Sequence, residues 1–111
     1  MSNTQKQRPL VYICQPLYDS EDVINKAKHY CRFLTNLGYN PFSPCLYYSS
    51  FLDFKNKKER QQALTSAIDM IRHCEQVFIF GNYVSSGMYA ELESATLHNK
   101  PIHYNLIHFD K

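Results

Sequence analysis

Gln76-Val77-Phe78-Ile79-Phe80-Gly81 runs directly into Asn82-Tyr83-Val84-Ser85-Ser86-Gly87-Met88. After Gln76 the first part is apolar on both parities, the pattern of a strand covered on both faces, as in a parallel sheet. Gly81 to Gly87 reads as a turn segment. A helix is predicted from about Ser86 to His98, with Met88, Leu92 and Ala95 facing inward, and Asn99-Lys100-Pro101 stops it. A buried strand, a turn of small residues and a helix in succession are the opening of a βαβ unit.

Outward from this stretch the same grammar repeats. Ile102 to Tyr104 starts a last strand, with a continuation toward Phe109 left open. Near the other end, Leu10-Val11-Tyr12-Ile13-Cys14 is a second continuous apolar run, stopped by Gln15-Pro16. Asp19, Ser20, Glu21 and Asp22 then supply a cap and first-turn acids. Val23, Ala27, Tyr30, Leu34 and Leu37 recur at spacings of four and three, an amphipathic helix ended by Gly38. Tyr39 to Pro44 reads as a short strand weakened by two prolines, and residues 45–56 as a long loop. Lys55 to Arg60 opens a further helix with Leu64, Ala67, Ile68, Ile71 and Cys74 as its buried stripe. The order β-α-β-α-β-α-β implies a single α/β domain of flavodoxin-like, Rossmann-like architecture. Its four or five parallel strands carry helices on both faces.

Length and composition narrow the function. The chain has 111 residues, enough for one core but not two. A net charge of +2 is too small to argue for nucleic acid by field alone. No apolar run approaches the length of a membrane span. Met1 to Arg8 is polar, without the apolar stretch of a signal peptide, so a cytoplasmic chain is expected, with a loose tail over residues 1–9 before a domain over 10–111. Cys14, Cys31, Cys45 and Cys74, and five scattered histidines, have no zinc spacing; no metal and no cofactor are expected. Nine Tyr and seven Phe are many for this size and point to a ligand cleft or a subunit contact, such as one around Tyr30 or Tyr89.

In sheets of this kind ligands bind beyond the carboxyl ends of the strands, at the switch point. Chemistry is therefore sought in segments 14–20, 43–54 and 80–91. Ser85, Ser86 and Gly87 let a ligand approach the start of a helix, where N–H groups are unpaired and the dipole is positive. An ordinary serine-capped turn has the same spelling. At about 100° per residue, Glu91 borders the buried stripe, whereas Glu93 lies on the solvated side. A partly desolvated Glu91 could act as nucleophile or base, or pair with a neighbouring cation. Tyr18, Tyr47, Tyr48 and Phe51 could stack on a ring or pack beneath the loop. Asp53 could enter the cleft or close a turn. Lys55, Lys57, Lys58 and Arg60 form either a solvated helix start or a phosphate clamp. There is no GxGxxG and no P-loop.

A family resemblance gathers these residues. Val11-Tyr12-Ile13-Cys14-Gln15-Pro16, Gly38-Tyr39-Asn40-Pro41, Phe51-Leu52-Asp53, Cys74 to Gly81, and Ser85-Ser86-Gly87-Met88 with Glu91 resemble the nucleoside 2-deoxyribosyltransferase-like superfamily. The likeness is stronger to a branch of short chains common in phages, prophages and Firmicutes genomes. In the transferases a motif Asp-x-Gly-Thr-x-x-Glu opens the corresponding helix. Its Glu attacks the anomeric carbon and its Asp handles the base. Here Gly87 and Glu91 match, Met88 replaces Thr and Ser85 replaces Asp. Gln15 stands where a small residue usually precedes the proline. The resemblance implies a nucleoside, nucleotide or ribosyl-phosphate ligand, with Glu91 as nucleophile if the chain is an enzyme. It also implies a homo-oligomer. Cys14, Gln15, Pro16, Tyr18, Tyr47, Asp53, Gly81, Ser85, Ser86, Gly87 and Met88 are the expected ligand-binding positions. The alternatives are a phage-type protein that sequesters an ADP-ribose-like signal without turnover, and a small oligomeric interaction protein.

Overall fold

The computed structural model describes residues 7–81 and 83–105. Among these residues four strands and four helices follow in the order β1 (Leu10–Cys14), α1 (Glu21–Asn36), β2 (Asn40–Phe42), α2 (Pro44–Ser49), α3 (Lys57–Ile71), β3 (Gln76–Phe80), α4 (Ser86–Leu97) and β4 (Ile102–Asn105). The strands form one sheet in the order β2-β1-β3-β4, and every pairing is parallel. This is a flavodoxin-like α/β fold. The continuation of β4 toward Phe109 and the first six residues of the expected tail lie outside the described residues.

Alternation along the two central strands sorts the core into two layers. Tyr12 and Cys14 of β1 and Val77 and Ile79 of β3 pack with Ala63, Ala67, Ile71, Met88 and Ala95 of α3 and α4. Val11, Ile13, Phe78 and Phe80 point to the opposite face, under Tyr30 and Leu34 of α1. Both central strands are covered on both sides, which is why Leu10 to Cys14 and Val77 to Phe80 carry no charged or amide side chain. Tyr30 stacks on Phe80 at 4.2 Å between ring centroids and is buried. Its ring is therefore core, whereas Tyr89 is exposed.

The helix ends follow local chemistry. Ser20 accepts a hydrogen bond from the Val23 N–H at the start of α1. At its end Gly38 takes φ +100°, and the N–H of Tyr39 reaches back to the carbonyl of Leu34, an exit that favours glycine. Leu37, expected on the buried stripe, is exposed because it caps this exit.

One segment departs from expectation. Residues 44–49 are helical, not loop, and β2 is only Asn40–Phe42. Ser43 is the N-cap, accepting from the Leu46 N–H, and Pro44 occupies the first turn. Proline is favoured there because its missing N–H would have no partner. Pro41 is tolerated because β2 pairs on one side only, with β1.

Candidate functional site

β1 leads to α1 and β2 on one side, and β3 leads to α4 and β4 on the other. The carboxyl ends of β1 and β3 therefore flank the switch point of the sheet. A cavity of about 450 Å³ opens there, within the range typical of small-molecule sites. Its walls are Gln15 to Tyr18 after β1, Lys57, Arg60, Gln61 and Leu64 of α3, and Ser85 to Met88 with Glu91 at the start of α4.

Glu91 is the centre of the arrangement. It is 1% exposed, deeper than the border position expected from helix geometry. The tyrosine hydroxyl of Tyr12 donates to Oε2, and the thiol of Cys14 donates to Oε1 at 3.4 Å. Both donors come from β1 and hold the carboxyl in one orientation. Burial pushes the Glu91 carboxyl up to about 7, against the opposing effect of these two hydrogen bonds. Burial, with Glu91 beside them, pushes the Tyr12 hydroxyl and the Cys14 thiol well above their ordinary values, so both remain protonated donors.

The entrance to α4 is built for backbone access. Ser85 accepts from the Met88 N–H through its hydroxyl, and its own N–H donates to the Met88 thioether. Met88, in place of the threonine of the resembled motif, thus completes a reciprocal cap. The first N–H groups of the helix, at Ser86 and Gly87, have no carbonyl within the helix to bond. A methyl group at Gly87 would stand 3.7 Å from Leu64 Cδ2, an ordinary contact, so α3 and α4 adjoin at this point. Ser85→Ala is expected to cost about 1 kcal/mol by removing the cap. An unchanged urea midpoint would show that the cap carries no stability.

Gln15 is 5% exposed, lines the cavity, and its side-chain Oε1 has no hydrogen-bond partner among the described residues. Tyr18 stands at the cavity wall, with the Arg60 guanidinium 4.9 Å from its ring centroid. Pro16, Ser85, Ser86, Gly87 and Met88 line the same space. Cys14 is fully buried beside Glu91 rather than in the wall.

Three expected positions lie elsewhere, each for a visible reason. Tyr47, itself exposed, packs in an aromatic cluster with Phe51, the half-buried Phe42 and the buried Tyr48. Asp53 closes a turn, its carboxylate accepting from the Lys55 N–H while its own N–H donates to Glu59. Gly81 takes φ +110° and turns the chain out of β3. Conversely, Gln61 and Leu64 were not expected at the site, and Lys57 and Arg60 were legible only as part of a basic run.

Among the described residues no group of three or more His, Cys, Asp and Glu is placed to hold a metal. Burial raises the thiols of Cys31, Cys45 and Cys74 to about 11, so none is poised as a thiolate.

Residues 9–105 match the profile of a domain of unknown function, DUF7768. The chain belongs to this family. No curated protein matches it. Among solved structures it is similar to a 2-deoxyribosyltransferase from the psychrotolerant bacterium Bacillus psychrosaccharolyticus. The TM-score is 0.66 at 20% identity, covering 89% of this chain and 77% of that one. At that identity the likeness establishes the shared fold of this DUF7768 domain. No helix among its described residues is long and apolar enough to cross a membrane.

Proposed function

We propose that this domain binds a nucleoside-type ligand in the switch-point cavity and cleaves or transfers at its N-glycosidic bond through Glu91. The observation that carries the reading is the single buried carboxyl at the cavity, clamped through both oxygens by Tyr12 and Cys14. The similarity to a 2-deoxyribosyltransferase fold supports it.

In this reading a carboxylate oxygen of Glu91 attacks the anomeric carbon. The carbon–nitrogen bond breaks and its electrons leave with the base. Glu91 is the sole carboxylate among the described residues of the wall, so the departing base takes its proton from solvent. Water, or the nitrogen of a second base, then attacks the same carbon and releases Glu91. Attack requires the ionised form. With a carboxyl near 7, turnover rises with pH through neutrality.

The same lack of a second acid favours another reading, retention of the ligand without turnover. General acid–base help is worth about two to four decades in rate, and Ser85 supplies no carboxyl. One experiment separates the two. The protein and its Glu91→Gln variant are incubated with nucleosides and nucleotides, and free base is followed by chromatography. Base released by the wild type and not by Glu91→Gln supports the transfer reading. A ligand bound by both and left intact supports retention. Base released equally by both rules out Glu91 as nucleophile.

A further inference from the structure

We infer that the cavity selects a ribosyl ligand carrying a 5′-phosphate, held between Lys57 and Arg60 of α3 and the free N–H groups of Ser86 and Gly87. This rests on the nucleoside reading above and names its substrate class.

Four observations converge. Lys57 and Arg60 both line the cavity and, three residues apart, project from one face of α3. Neither forms an ion pair with a carboxylate among the described residues, where the sole ion pair is Lys26 with Asp22. Arg60 instead lies over the Tyr18 ring, which fixes the guanidinium at the wall. Second, Lys57 is the first residue of α3, so the N-terminal ends of two helices, of 15 and 12 residues, meet at the cavity. Both positive dipole ends and both cations favour an anion in the same space.

Third, Gln15 offers a buried amide oxygen with no partner among the described residues. An acceptor left dry in this way is costly unless a ligand donor completes it. A ribose hydroxyl or a base N–H supplies that donor, so the ligand has a neutral donor as well as an anionic end. Fourth, the spacing suits a sugar phosphate. Gly87 and Glu91 are four residues apart on α4, about 6 Å of helical rise. That is comparable with the reach from the anomeric carbon to a 5′-phosphate across a ribose ring. A phosphate seated at Gly87 therefore leaves the anomeric carbon beside Glu91.

Calorimetric titration of the full chain tests this. The ligands are the common nucleosides and deoxynucleosides, their 5′-monophosphates, ribose 5-phosphate and inorganic phosphate. At least one monophosphate should bind ten-fold or more tightly than its own nucleoside. That ratio should shrink as salt rises from about 0.05 to 0.3 M. It should approach one in the double variant Lys57→Gln/Arg60→Gln. It should persist in Lys55→Gln/Lys58→Gln, which removes the same charge outside the cavity wall. Far-UV dichroism and melting of each variant report its fold, and the wild-type ratio and its salt dependence stand whether or not a variant folds.

A nucleoside that binds as tightly as its monophosphate overturns the phosphate subsite and leaves the nucleoside reading intact. A ratio unchanged in the Lys57/Arg60 variant, or lost equally in the Lys55/Lys58 variant, overturns the assignment to these residues. Binding of inorganic phosphate or ribose 5-phosphate alone upholds the anion subsite and overturns the nucleoside reading. Binding of none of the ligands overturns both.

Discussion

Glu91→Gln is expected to make the protein more stable above neutral pH while abolishing any glycosidic chemistry. The carboxyl is raised to about 7 by burial, against an ordinary value near 4.5. Between these values the unfolded chain has lost the proton and the native chain keeps it. The native state then binds more protons, so stability falls as pH rises through this window. Below it the penalty is absent; above it the full cost stands, on the order of 3 kcal/mol for a shift of this size. Glutamine has no charge to desolvate. Its oxygen can accept from the Tyr12 hydroxyl and its amino group can donate to the Cys14 sulfur, a weak acceptor, so the stronger of the two contacts survives the exchange. The variant should therefore show little of the pH 5 to 8 slope and exceed the wild type by about 1–3 kcal/mol at pH 8. Urea midpoints at both pH values measure it, and identical slopes in the two proteins would remove Glu91 as the source. The gain in stability and the loss of a nucleophile are two readouts of one buried charge, and a merely structural Glu91 would move only the first.

Phe80→Ala should bring the domain close to unfolding at room temperature. Phe80 is fully buried, stacks on Tyr30 at 4.2 Å, meets Phe33 edge-on at 6.3 Å and lies parallel to Phe78. It joins β3 to α1 across the face of the sheet that α1 covers. Removing a buried phenyl ring costs about 3–5 kcal/mol, against a typical total of about 5–15 kcal/mol for a domain. The urea midpoint should fall steeply, while Phe80→Leu, which keeps most of the volume, should recover most of the loss. Equal midpoints for Phe80→Ala and wild type would mean that α1 is held by other contacts.

These two residues illustrate what could be read before any coordinates. Phe80 lies in a run apolar on both parities, and such runs report a strand covered on both faces without further help. Glu91 was placed by rotation about its own helix, which located its face but not its depth. Depth comes from Tyr12 and Cys14 of β1, 79 and 77 residues away in sequence, and helix rotation carries no information about them. The helix over 44–49 is hidden for a different reason: a proline after a strand reads as a strand breaker, yet Ser43-Pro44 is equally an N-cap followed by a first-turn proline, the spelling of a helix start. Tyr30 is legible on the apolar stripe of α1, and its ring serves as a core plate over Phe80. Lys57 and Arg60 could be seen as charge, but their convergence on Ser86 and Gly87 depends on how α3 packs against α4.

The order of the strands has a consequence for how the site comes into being. The central pair β1 and β3 joins segments that the chain separates by α1, β2, α2 and α3, so the middle of the sheet is a long-range pairing. The cavity draws its walls from the segment after β1, from α3 and from the start of α4. No hairpin or single βαβ unit contains it. Such long-range pairing makes folding slow and leaves no partly folded form with a working pocket. A molecule that binds only the assembled cavity acts as a clasp across segments far apart in the chain, stabilising the fold as a unit rather than the loops it touches.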